Sequence, residues 1–188
     1  MRGALSEYPM SELLDHQRTA LEWLQHHYHV GSPGALLADD MGLGKTLVAL
    51  AFLVWLRQGM ANQRIPRKPI LIVGPVGLLQ NWRQEHHRHI ESPGLGDVIE
   101  AFGSGLRTLR RDPARKQPEL HAGSPTLRID ALTAADWVTT SYETLRDYQH
   151  SFGLIEWAAV RRGPTVIITR GRKRWEAAVP LYFQLLNP

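Results

Sequence analysis

The chain has no cysteine, which excludes disulfides and cysteine-ligated zinc and fits a reducing compartment. It has no apolar run long enough to span a bilayer and no signal-peptide core at its N-terminus. A soluble, cytoplasmic protein without a membrane partner is therefore expected, nucleoid-associated if the source is bacterial. Acid is scarce at one end. Residues 161–188 hold six Lys/Arg and a single acid, Glu176, whereas residues 1–160 hold 16 Lys/Arg and 17 Asp/Glu. The net charge of +4 thus comes from the last 28 residues, and a basic, nucleic-acid-like balance is not a property of the whole chain.

What is present is a composition suited to one globular domain: 188 residues, 43 % hydrophobic and 21 % charged. The most informative stretch is residues 35–49. It reads as a short apolar strand over 35–38, a glycine turn, and an apolar run over 46–55 long enough for a helix. Gly42 and Gly44 let the backbone turn tightly, so that consecutive amides can point at an anion. A helix starting near Lys45 adds its free N–H groups and positive dipole end. Lys45 supplies a cation for outer phosphates, and Thr46 a hydroxyl suited to ligating magnesium. The pattern describes a nucleoside-triphosphate cradle, although the general P-loop expression would place glycine where Asp39 stands.

Around this stretch the chain alternates helix and strand. Leu13, Leu14, Ala20, Leu21, Trp23, Leu24 and Tyr28 predict a helix over 11–29, and 31–34 a turn. Gln17 lies on that helix, and its amide could match the donor and acceptor of an adenine edge. After a polar connection over 59–68, residues 69–73 read as a buried parallel strand and 78–89 as a helix carrying Leu79, Trp82 and His86. A short strand is expected over 98–102. A solvated basic run follows (Arg107, Arg110, Arg111, Arg115, Lys116), then a buried strand over 135–141 and a helix beginning over 142–148. This is the βαβ signature of a parallel sheet. Two histidine groups, His26/His27/His29 and His86/His87/His89, suggest metal by composition alone. No carboxylate stands at a telling spacing, and no metal site is expected from them.

Residues 13–24, 37–46, 69–85 and 138–148 closely resemble the N-terminal half of the Swi/Snf family of helicase-like ATPases, within helicase superfamily two. The run Asp39, Asp40, Met41, Gly42, Leu43, Gly44, Lys45, Thr46 is the most specific part, with Asp40 where the family more often has Glu. The resemblance implies an α/β, RecA-like P-loop lobe with a mainly parallel sheet flanked by helices. It also implies ATP and Mg²⁺ as cofactors and double-stranded DNA as partner. By position, Gln17 resembles the adenine-reading glutamine, Gly42, Gly44, Lys45 and Thr46 the phosphate and magnesium site. Pro75 to Trp82 and Thr140 to Tyr142 resemble the segments that touch the DNA backbone. The family's Arg-Pro-Tyr before the glutamine is replaced by Leu14, Asp15 and His16.

The resemblance spans roughly 11–160 and then stops. Where the family completes a strand ending in an Asp-Glu pair, which holds magnesium and orients the attacking water, this chain reads Arg161, Arg162, Gly163, Pro164. A further strand could lie over 165–169, but it leads into Arg170 to Arg174 rather than to acids. A lobe incomplete at its C-terminal side is expected: residues 1–160 a partial ATP-binding lobe, 161–188 a basic divergent tail. Two accounts fit the tail, a change of reading frame or an authentic divergent segment. The expected function is a Swi/Snf-type ATP-binding lobe, truncated before the acidic pair and the second lobe and so not hydrolytic alone. Its rivals are a non-catalytic nucleotide- or DNA-binding module with a basic arm, and an unrelated P-loop kinase or GTPase. The last is disfavoured because it leaves Gln17 and the Pro75–Trp82 block unexplained.

Overall fold

The computed structural model describes residues 11–32, 34–40, 42–114, 119 and 125–162, the last four as backbone only. Met41, Arg115, Lys116 and the expected strand over 165–169, with the rest of 163–188, lie outside the described residues.

Helix α1 (Asp15–His29) turns one apolar stripe inward, burying Leu21, Leu24 and Tyr28. Helix α2 (Lys45–Ala61) has no such stripe. Every residue from Val48 to Val54 is buried, because the helix is covered on all sides. Strand β1 (Ile70–Val73) is buried at all four positions, as a central parallel strand must be. It is followed by α3 (Val76–His89), β2 (Val98–Ala101), α4 (Gly105–Leu109), α5 (Ile129–Ala134), β3 (Trp137–Thr140), α6 (Tyr142–Asp147), α7 (Gln149–Gly153) and β4 (Ala159–Arg162).

The four strands form one all-parallel sheet in the order β2-β3-β1-β4. Ile70 sits opposite both Trp137 of β3 and Ala159 of β4, and Val73 opposite Thr140 and Arg162. Alternation along β1 divides the core. Ile70 and Ile72 pack with α1, α2 and α3 on one face, whereas Leu71 and Val73 pack with the α4–α7 side on the other. The molecule is a helix–sheet–helix sandwich, which bears out the expected fold class.

Three sequence expectations need correction. Residues 35–38 do not pair as a strand among the described residues. Ala35 and Leu37 are buried while Leu36 and Ala38 are exposed, so the stretch keeps a strand-like alternation without a ladder neighbour. The helix expected from residue 142 breaks at Tyr148 and resumes as α7. The histidines do have a carboxylate partner: Glu85 Oε2 lies 3.1 Å from His89 Nε2, and His89 Nδ1 lies 2.9 Å from Ser11 Oγ. Both ring nitrogens are thereby used, and among the described residues no cluster of metal ligands forms.

The strand pairing runs two residues past Val160, with the backbones of Arg161 and Arg162 continuing β4 beside Ile72 and Val73. At the opposite, N-terminal end of β3, Asp136 gathers the polar groups. Its Oδ1 lies 2.7 Å from Arg57 Nη2 and 3.0 Å from Arg67 Nη2, and its Oδ2 accepts from Asp97 N at 2.9 Å. This knot ties the end of α2 to the loops before β1, β2 and β3.

Candidate nucleotide-binding site

In a parallel sheet the loops after the strands share one edge, and ligands bind there. Gly74 donates to Thr140 O at 3.1 Å, so the turn after β1 and the turn after β3 lie side by side. Exposed apolar groups gather on these turns: Val76, Leu78 and Tyr142 are each more than a third exposed. Trp82 is different. It is 3 % exposed and packs in the core, so the far end of the Pro75–Trp82 block serves the fold and not the surface.

The phosphate-loop residues form the other part of this region. Gly42 and Gly44 have φ of 93° and 78°, left-handed values at which a side chain is strained, and Gly44 is the N-cap of α2. That cap provides no side-chain acceptor, and the first turn of α2 carries no acid. The N-terminal amides and dipole end of a 17-residue helix are thus left uncompensated by protein charge. Space beside Gly42 is open, with nothing within 4 Å of where a β-carbon would sit. The Lys45 side chain folds back over the loop, and its Nζ donates to Asp39 O at 2.6 Å and Asp40 O at 2.7 Å. Lys45 and Thr46 are half-buried, and Asp39, Asp40 and Leu43 are exposed.

Gln17 reaches this loop, as its position on α1 suggests, but both ends of its amide are used by the protein. Oε1 accepts from Leu14 N at 3.1 Å, capping α1, and Nε2 donates to Leu43 O at 3.2 Å. Only 7 % of Gln17 is exposed. A β-carbon on Gly44 would overlap its Nε2, so glycine is needed at 44 for space as well as for φ. His16 is a contact that sequence reasoning missed. Its Nε2 lies 3.3 Å from the same Leu43 carbonyl. The signal available was its place next to Gln17.

The donor set fits a polyphosphate with its divalent cation. It offers amides without an internal acceptor, an ammonium, a hydroxyl at the second helical position and two exposed carboxylates. Residues of this loop do not line the hollow of about 480 Å³ found beside β2, which Arg83, Val98, Ile99, Glu100, Thr108 and Arg128 help to enclose. The loop is an open half-site on the sheet edge.

The fold and the loop together define a RecA-like P-loop lobe. The chain belongs to the SNF2-related domain family, which matches residues 16–161, and nucleotide use is implied by that membership. Zorya protein ZorD of Escherichia coli O139:H28 is 36 % identical over 173 residues, covering 84 % of this chain and 15 % of ZorD. The DNA excision repair protein CSB of Oryza sativa subsp. japonica is 38 % identical over 162 residues, covering 78 % of this chain and 13 % of that protein. The chain thus spans a small part of the length of these relatives. Among solved structures, the Sulfolobus solfataricus SWI2/SNF2 ATPase core in complex with dsDNA superposes with a TM-score of 0.56 at 24 % identity. It covers 85 % of this chain and 28 % of that one, a likeness of fold. The Swi/Snf resemblance read from the sequence is borne out. Among the described residues no helix is long and apolar enough to cross a membrane.

Proposed function

We propose that the chain is the N-terminal, ATP–Mg²⁺-binding lobe of an SNF2-type DNA-dependent ATPase. The observation that carries this reading is the loop itself. Two left-handed glycines lead directly into the uncapped N-terminus of α2, with Lys45 and Thr46 as its first two residues. Gly42, Leu43 and Gly44 would shape the backbone cradle, Lys45 would neutralise the outer phosphates, and Thr46 would ligate Mg²⁺. Asp39, Asp40 and Met41 would complete the loop, and Gln17 would close it against α1. Bound magnesium would supply charge neutralisation for the phosphates.

Catalysis needs more than this chain contains. No Asp-Glu pair follows β4 in the sequence, so no acid is available there to hold the metal's water shell or orient an attacking water. Residues 1–160 are read as the lobe and 161–188 as a separate basic tail. Double-stranded DNA is the partner on the side of the exposed Val76, Leu78 and Tyr142, in line with the dsDNA in the Sulfolobus complex.

A fluorescent ATP analogue titrated with and without Mg²⁺ tests the reading. The expected result is Mg²⁺-dependent binding that Thr46→Ala weakens at saturating chain. Binding indifferent both to Mg²⁺ and to Thr46→Ala would overturn it.

A further inference from the structure

The first turn of α1 meets the phosphate loop at one atom, the carbonyl oxygen of Leu43. Two neighbouring side chains approach it, Gln17 Nε2 at 3.2 Å and His16 Nε2 at 3.3 Å. A carbonyl only accepts, so His16 Nε2 must carry a proton in this contact. The Leu43 carbonyl lies immediately before Gly44, the N-cap of α2, and its peptide plane includes the Gly44 N–H. Whatever holds that oxygen also fixes the direction in which the Gly44 amide points.

We infer that His16 is a positioning residue for the phosphate loop. With Gln17 it forms a two-donor clamp on the Leu43 carbonyl, which aims the Gly44 amide at the phosphate chain. The effect is on phosphate binding and is blind to the base, because His16 is hydrogen-bonded to the loop backbone. This rests on the nucleotide-site reading above. The bond is exposed, so its loss is worth about a two- to tenfold change.

The experiment uses the 188-residue chain with His16→Ala, His16→Gln and Lys45→Ala. ATP and GTP affinities are measured with Mg²⁺, and amide hydrogen exchange over 42–46 is measured without nucleotide. The expected result is that His16→Ala weakens ATP and GTP binding by the same two- to tenfold and speeds exchange at Gly44. His16→Gln, which keeps an N–H donor, should restore both. A loss confined to ATP would make His16 a base-reading group and overturn the inference. So would unchanged affinities in His16→Ala when Lys45→Ala abolishes binding. If Lys45→Ala binds normally, the nucleotide-site reading itself falls. The exchange measurement still decides the clamp, since unchanged exchange at Gly44 in His16→Ala would contradict it.

Discussion

The amide of Gln17 occupies the space that a β-carbon on Gly44 would need, and donates to the carbonyl just before that glycine. A helix cap and a phosphate loop are thereby built from one side chain. Gly44→Ala should suffer twice, from the left-handed φ of 78° and from the overlap.

The φ term is expected to cost about 1–2 kcal/mol by itself. In a Gln17→Ala background the overlap is gone and the Gly44→Ala penalty should shrink to that term. Urea unfolding of the four variants in a double-mutant cycle measures it. Strict additivity would show that Gln17 and Gly44 are not coupled.

Helix α2 is the core's centre, with Leu50, Phe52, Leu53 and Leu56 fully buried. Phe52→Ala removes a ring that also packs against Tyr28 and Trp55, at centroid distances of 6.3 and 5.6 Å. A loss of about 3–5 kcal/mol is expected, read as a fall in the thermal or urea midpoint. A change below 1 kcal/mol would mean that α2 is not packed as described.

Asp136 is the other sensitive point, since Arg57 and Asp97 N both lose their partner in Asp136→Ala. About 2–3 kcal/mol should be lost. Asp136→Asn, which keeps the acceptor for Asp97 N, should recover part of it. The readout is again the urea midpoint, and equal stability of Ala and Asn variants would rule out the hydrogen-bonding account.

Burial, and then the neighbouring His87, lower the pKa of His86 below the ordinary histidine value. Its Nε2 accepts from Leu95 N at 3.2 Å, a bond that protonation destroys. The unfolded chain therefore binds this proton more readily. Stability is complete above about pH 6.5 and falls as the pH drops from there through the folded pKa. His86→Gln, which can accept the same bond but does not titrate, should flatten the Tm-against-pH slope between pH 6.5 and 5. An unchanged slope would assign the acid sensitivity elsewhere. Glu119 titrates lower. Burial raises its pKa, but hydrogen bonds from Ser151 and Thr126 more than offset that, and the net shift is downward.

How much of this was readable in the sequence depends on how each signal arises. Strands β1 and β3 announced themselves as apolar runs because both faces are covered, and the loop announced itself because glycine, lysine and threonine chemistry is local. The pairing of residues 35–38 was not readable, since a ladder needs a neighbour that local pattern does not reveal. Helices α4 and α5 are only five and six residues long, too short for a periodicity to register. Trp82 was read with the surface segment around it, yet its helical position turns it inward. The double use of Leu43 O by His16 and Gln17 joins residues 26 and 27 positions apart, and no local rule reaches that far.

The chain alone should not turn over ATP above background, with or without duplex DNA, because transition-state charge lacks both an acidic metal partner and an opposing lobe. A steady-state phosphate-release assay checks this. DNA-stimulated release that disappears in Lys45→Ala would show that the missing groups are dispensable.

The most direct measurement of the central claim is titration calorimetry of ATP–Mg²⁺ into the native chain and into Lys45→Ala. Lys45 Nζ stands over the loop, held by the carbonyls of Asp39 and Asp40, and is the cation that the outer phosphates would take over. Binding to the native chain and none to Lys45→Ala is the predicted result. Equal affinity in the two proteins would contradict the assignment of this loop as the nucleotide site.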